Sequence, residues 1–309
     1  MENKSLQKGI VISFGVFDGV HIGHQLLISC MLDRAKKLDL ETVVITFDPH
    51  PAQSIIGKSP PLITTLSKKV EILKSLGIDK IVVEDFNEEF SQLSPEEFVR
   101  DILIGRFNAR EIIVGYDCAF GKDRAGDKRI LKELGEKFGA TVDIVDPYNL
   151  KGEIVSSTRV RNAILNGDLE LANMMLGREY SISGKIVSGK GIGNKIGYAT
   201  ANLDTKNEIL PPSGVYAIRA IVNNKVYDGI LNMGTQPTLG DGKFRIEAHL
   251  FDFNGIKLYE KEMEVFFVQK IRNERAFPST DDLVKQIKED VIDARKILKN
   301  RNCLKMSLK

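Results

Sequence analysis

Two histidines three residues apart, His21 and His24, flank Gly23 in the stretch Gly15-Val16-Phe17-Asp18-Gly19-Val20-His21-Ile22-Gly23-His24. Val11, Ile12 and Phe14 before it suit a buried strand. Leu26, Leu27, Met31, Ala35 and Leu38 after it recur at helical spacing. The stretch therefore reads as a strand, a turn eased by Gly15 and Gly19, and the first turn of a helix. A helix N-terminus offers unpaired N–H groups and a positive dipole end, which suits a phosphate chain, and Gly23 permits a close approach. Two imidazoles on one face of that turn add groups that can meet negative charge. Plain helix capping by one or both is the bland alternative. Two familiar phosphate motifs are excluded. Gly57-Lys58-Ser59 lacks the glycine a Walker A loop needs at Ala52, and Pro60-Pro61 stops a helix from following. The dinucleotide fingerprint fails because Phe17 and Asp18 fill its second-glycine region.

A second anion site is suggested by Ser156-Ser157-Thr158-Arg159-Val160-Arg161, which starts a helix ending before Gly167. Arginines in a first turn oppose the helix dipole. An anion held there by N–H groups, hydroxyls and a guanidinium supplies a reason; two solvated surface arginines are the alternative. Asp48 and Asp117 follow apolar strands and fall on the carboxyl rim where open parallel sheets bind ligands. Asp48 suits a metal or a ribose hydroxyl, or the capping of a turn.

The third cluster lies further on. Gly189, Gly191, Gly193 and Gly197 make a glycine-rich flap that runs into Ala199-Thr200-Ala201-Asn202. Thr200 and Asn202 are two apart, so on an extended strand they share a face. Hydroxyl and amide oxygens suit Mg²⁺, which commonly shares a site with phosphates. A mobile loop and a hairpin explain the same composition. Alternation alone places Glu247 on the solvated side of the Phe244, Ile246, Ala248, Leu250 face.

The elements that must position these groups change character along the 309 residues. Strands at 11–14, 42–47, 80–83, 111–115 and 141–145 alternate with helices at about 21–38, 68–76, 95–103 and 128–138. That pattern gives a doubly wound parallel sheet of Rossmann-like type. Asp48-Pro49-His50-Pro51 reads as an extended loop, Ser94-Pro95-Glu96-Glu97 as a capping box, and Asp127 and Asp168 as helix caps. From Tyr180 the pattern turns to β. Residues 180–187 form a strand, 214–222 and 225–233 a hairpin at Asn223-Asn224, 244–253 and 256 onward a second around Asn254-Gly255, and 262–271 a further strand. These make a small antiparallel barrel. Ser279 caps a helix whose Leu283, Ile287, Val291, Ala294 and Leu298 cover it. Two domains result, 1–179 and 180–309.

Bulk properties narrow the function classes. A net charge of +2 is too balanced for a nucleic-acid or membrane surface. The 42% hydrophobic content supports real cores. Cys30, Cys118 and Cys303 are scattered, which fits a reducing cytosol and a cytoplasmic location. The first residues lack a signal-peptide core, and no apolar run reaches membrane-spanning length. Nothing in the sequence sets an oligomeric state.

Taken together, residues 16–24, Phe47-Asp48-Pro49-His50-Pro51, and Val155-Ser156-Ser157-Thr158 with Arg161 resemble the adenylyltransferase module of prokaryotic bifunctional FAD synthetases. The flap, Gly214-Val215-Tyr216, the segment from Asn232-Met233-Gly234 to Pro237-Thr238, Glu247-Ala248-His249-Leu250 and Ile271-Arg272-Asn273-Glu274 resemble the riboflavin kinase module. The resemblance covers essentially the whole chain in order. It implies phosphorylation of riboflavin to FMN by ATP and Mg²⁺ in the C-terminal module, and adenylylation of FMN to FAD in the N-terminal one. It further implies that His21 and His24 stabilise charge on the ATP phosphates. Gly15, Phe17, Gly23, Ser156, Ser157, Thr158 and Arg161 would bind that nucleotide, with Asp48 and Asp117 near metal, ribose or flavin phosphate. In the kinase, Gly189, Gly191, Gly193, Thr200 and Asn202 would hold ATP and Mg²⁺, Glu247 would take the hydroxyl proton, and Arg272 and Glu274 would lie by the flavin. Ala199 stands where this family usually has proline, and Asn194 where it often has arginine. Asp117-Cys118 stands where an acidic or amide residue followed by an aromatic is expected. A single-activity adenylyltransferase and a non-catalytic flavin-binding protein are the competing readings.

Overall fold

The alternation of strands and helices in the first half builds one parallel sheet. The computed structural model describes residues 9–189, 197–235, 242–253 and 258–300, and the chain divides into two compact units, Met1–Ser157 and Thr158–Lys309. The first contains β1 (Ile10–Phe14), α1 (Ile22–Leu38), β2 (Glu41–Asp48), α2 (Pro51–Ile56), α3 (Leu66–Ser75) and β3 (Lys80–Asp85). Next come α4 (Glu88–Ser91), α5 (Pro95–Glu97) widening into a π-helical stretch at Phe98–Arg106, and β4 (Ala109–Gly115). The short β5 (Ala119–Phe120) and β6 (Gly126–Asp127), then α6 (Lys128–Phe138), β7 (Thr141–Val145), β8 (Asn149–Leu150) and β9 (Glu153–Ile154) complete it.

The sheet order is β3-β2-β1-β4-β7, parallel throughout. The order reverses beside β1, so the turn after β1 stands at the switch point where such sheets bind ligands. Burial on both faces explains why β1 is continuously apolar rather than alternating. Ile10 and Ile12 pack with Phe98, Leu103 and Phe120, while Val11 packs with Leu27 and Met31 of α1. The capping box at Ser94 and Glu97 forms as expected, with both reciprocal bonds present.

The second unit opens with α7 (Ser157–Leu165), whose first turn carries the division, and α8 (Leu169–Leu176). It continues with β10 (Ser181–Val187), β11 (Ala201–Thr205), β12 (Gly214–Val222), β13 (Lys225–Gly234), β14 (Arg245–Leu250), β15 (Glu262–Arg272) and α9 (Thr280–Asn300). The six strands close into a barrel in the order β10-β11-β14-β13-β12-β15. Closure removes the exposed strand edges that small sheets must otherwise protect. Ala294 and Leu298 of α9 pack with Val215, Ala217 and Val268 of the barrel wall.

Four local expectations change. Leu26 and Leu38 are 38% and 46% exposed; the buried stripe of α1 is Leu27, Ile28, Met31 and Ala35, because the sheet covers only one arc of that helix. The extended loop after β2 stops at His50, since Pro51 begins α2, a position where its missing N–H is harmless. Phe244 is half exposed and precedes β14. Finally, β14 pairs with β11 and β13, and β15 with β10 and β12. Among the described residues the strand at 244–253 therefore forms no hairpin with a later strand, because barrel closure takes both of its edges for earlier partners. Asn254 and Gly255 lie outside the described residues.

Candidate functional site

The turn after β1 is built from strained backbone. Phe17, Gly19 and Val20 take φ of 52°, 76° and 40°, and Asp18–Val20 form a single 3₁₀ turn. His21 leaves that turn extended and caps α1: its Nδ1 accepts from the His24 N–H at 3.4 Å. An accepting Nδ1 places the proton of a neutral ring on Nε2. The two imidazoles stack, with centroids 3.7 Å apart and planes 15° from parallel. The Phe17 ring stands edge-on to His24 at 5.1 Å. Gly23 leaves room for this arrangement: a Cβ there would lie 3.2 Å from the His21 ring and press on it. His21 is buried and His24 half-buried. Capping and pairing are thus the same arrangement, and the capping alternative describes how the pair is held.

Asp18 holds the turn from inside. It is buried, and its carboxylate accepts from Ile63 N–H at 2.9 Å and Thr64 N–H at 3.3 Å. Gly19 N–H donates to Thr64 Oγ1 at 3.2 Å. The Oγ of Ser157, the last residue of the first unit, donates to the Asp18 carbonyl at 2.9 Å. Ser156 is half-buried, and in the second unit Thr158 is exposed while Arg161 is only 9% exposed. That burial rules out a solvated surface role for Arg161. Asp48, the last residue of β2, and Asp117, just beyond β4, are both exposed at the carboxyl ends of strands flanking β1. Burial pushes the neighbouring Cys118 thiol up to about 12.

The second cluster is a row across the barrel. Glu247 of β14 stands opposite Asn202 of β11 on one side and opposite Asn232 of β13 on the other. Paired residues of an antiparallel ladder share a face, so one carboxylate is flanked by two amides. Their neighbours Ile246, Ala248 and Leu250 point into the barrel core. Gly189 lies against this row: a Cβ there would sit 2.1 Å from Asn202 Nδ2. Thr200, half-buried, immediately precedes β11. His249 Nδ1 meets the Ala199 carbonyl at 2.8 Å, which holds the residue just before Thr200. Gly191, Gly193, Asn194, Pro237 and Thr238 lie outside the described residues.

Arg272 and Glu274 follow the barrel's last strand. The Arg272 guanidinium is held by Asp290 of α9, with Nε to Oδ1 at 2.9 Å and Nη2 to Oδ2 at 2.8 Å. Glu274 Oε2 accepts from Thr235 N–H at 3.1 Å. Sequence reasoning gave no role to Asn232 or Asp18. Asn232 stood only at the start of a resembling segment, and its place beside Glu247 comes from the β13–β14 register. Asp18 had a local signal, an aspartate before glycine in a turn. Among the described residues no three His, Cys, Asp or Glu side chains gather as a metal site.

Residues 3–159 match the FAD synthetase family and residues 176–298 the riboflavin kinase family. The bifunctional riboflavin kinase/FMN adenylyltransferase of Buchnera aphidicola subsp. Schizaphis graminum is 41% identical, covering 93% of this chain and 94% of that protein. The protein of the same description from Bacillus subtilis is 36% identical over 96% of this chain and 95% of its own. A solved structure from Streptococcus pneumoniae, described as a macrolide-efflux protein, superposes with a TM-score of 0.84 at 32% identity over 94% of each chain. Among the described residues no helix of this chain is long and apolar enough to cross a membrane.

Proposed function

The chain belongs to the family of bifunctional riboflavin kinases/FMN adenylyltransferases, and from that premise we propose how its residues carry the two transfers. It phosphorylates riboflavin to FMN and adenylylates FMN to FAD, with ATP as the donor in both steps. The module boundary is set at 179/180, where the strand-rich half begins. Two observations support a division of labour: the stacked histidines belong to the parallel-sheet unit, and the Asn202–Glu247–Asn232 row belongs to the barrel.

In the kinase, the Glu247 carboxylate takes the proton of the ribityl 5′-hydroxyl as that oxygen attacks the γ-phosphorus and ADP departs. Asn202, Asn232 and Thr200 present oxygens of the kind that Mg²⁺ prefers, and the ion when bound with ATP neutralises phosphate charge there. Gly189, Gly191 and Gly193 belong to the segment that binds the ATP phosphates. Arg272 and Glu274 border the flavin. The Arg272–Asp290 pair fixes the guanidinium's direction before substrate arrives, which lowers the ordering cost of binding.

In the adenylyltransferase, a phosphate oxygen of FMN attacks the α-phosphorus of ATP and pyrophosphate leaves. His21 and His24 meet the charge that develops on the phosphates. Gly15, Phe17 and Gly23 shape the nucleotide's approach, and Ser156, Ser157, Thr158 and Arg161 hold its phosphates. Asp48 and Asp117, on the rim, serve the flavin substrate or its metal. A cytoplasmic setting belongs to the same proposal, in keeping with the free thiols of Cys30 and Cys118.

Incubation with riboflavin, ATP and Mg²⁺, followed by separation of the flavins, tests the reading. FMN followed by FAD is expected. FAD made from supplied FMN with riboflavin untouched would leave an adenylyltransferase with an inactive barrel.

A further inference from the structure

Lys69 is a charged residue that the fold buries to 5% exposure. Its neighbour Lys68 pairs with Glu71 across one helical turn, at 2.8 Å. Lys69 instead turns inward from α3 and its Nζ donates to the Val16 carbonyl at 3.0 Å. Thr46 Oγ1 donates to the same oxygen, also at 3.0 Å. Val16 is the last residue before the strained turn, in which Phe17 and Val20 both take left-handed backbone. A β-branched valine at φ 40° is disfavoured, and such a conformation persists only where its surroundings over-determine it.

Several bonds already restrain that turn from the Asp18 side, through Ile63, Thr64 and Ser157. Gln25 Nε2 restrains its far end by donating to the Val20 carbonyl at 2.9 Å. Lys69 brings positive charge to this set. Asp18 is itself buried, and an opposite charge offsets the cost of taking a carboxylate out of water. Burial pulls the Lys69 ammonium down, while Asp18 and Asp48 act to keep it protonated. One ammonium therefore fixes the carbonyl at the turn's entry and favours the carboxylate at its centre. The two histidines come directly after that turn.

We infer that Lys69 is a positioning residue for FMN adenylylation: it locks the turn at residues 16–20 so that His21 and His24 are presented to the nucleotide. The inference rests on the reading of the histidine turn as the adenylyl-transfer site.

Three variants test it: Lys69→Met, which keeps length without charge; Lys69→Arg, which keeps charge; and Thr46→Val, which removes the neutral donor. For each, kcat and KM for FMN adenylylation are measured together with riboflavin phosphorylation and thermal unfolding. Lys69→Met is expected to lower the adenylylation kcat about 100-fold with the KM for FMN kept, because misplaced histidines weaken the transition state more than binding. Riboflavin phosphorylation should stay at the wild-type rate. Lys69→Arg should recover most of the loss, and Thr46→Val should lower kcat in the same direction by about tenfold. A folded Lys69→Met with wild-type kcat overturns the inference, as does a loss carried wholly in KM. If Lys69→Met does not fold, a folded Lys69→Arg without adenylylation, or a Thr46→Val with no kcat effect, overturns it. A wild-type chain that makes no FAD from FMN instead removes the reading of the site itself.

Discussion

Glu247 and Asn202 face each other across the antiparallel pair of β11 and β14, with Asn232 on the carboxylate's other flank. The barrel thus sets a single acid between two amides on its outer face, forty-five positions along the chain from one amide and fifteen from the other by their numbering. In the proposed kinase such a row would give the attacking hydroxyl a base and leave neutral oxygens for phosphate-bound metal.

Glu247→Gln keeps the shape and removes the proposed base. Riboflavin phosphorylation is expected to fall by about 10²–10⁴-fold, and adenylylation of supplied FMN to continue unchanged. Rates of both reactions on one preparation check this.

His24→Ala removes one of the two stacked rings. FAD formation from FMN is expected to fall by about 10²–10³-fold, on the scale of losing one donor to developing charge, while FMN formation from riboflavin persists. Loss of both activities in a folded His24 variant would contradict the assignment of separate sites.

Gly189→Ala introduces a Cβ within 2.1 Å of Asn202 Nδ2. Real side chains do not tolerate such a contact, so Asn202 or the flap must shift. The kinase KM for ATP is expected to rise, with adenylylation unaffected, and steady-state titration of ATP in each reaction separates the two.

Asp290→Ala leaves the Arg272 guanidinium without its bidentate partner. Asp290 is 2% exposed, and breaking a buried pair from one side costs about 3–5 kcal/mol. A lowered unfolding temperature of the barrel transition by calorimetry is the expected result, accompanied by weaker riboflavin binding.

Cys118 is expected to resist alkylation. Burial first, and then Asp117, push its thiol up to about 12, so the reactive thiolate is a small fraction at neutral pH and rises only as pH approaches that value. Peptide mapping after iodoacetamide at pH 7 and at pH 10 should show little modification at the lower pH and more at the higher.

The sequence by itself determined most of the longer elements and their order. Helical spacing, strand runs, the capping residues Ser94 and Asp127 and the asparagines of the 223–224 turn are local signals, carried within a few residues of where they act. The histidine turn, the Ser157 helix start and the Glu247 strand were legible for the same reason. Tertiary structure decided what depends on distant partners. It made His21 the cap of α1, not a member of it, and stacked its ring on His24. It left Leu26 and Leu38 outside the core, because the arc of α1 that the sheet covers is not written in α1. It placed Asn232 beside Glu247 through a barrel register, and it turned Lys69, one of two adjacent lysines, toward a carbonyl 53 residues earlier. Periodicity fixes a face only relative to its own element; which groups meet on that face is set by packing between elements.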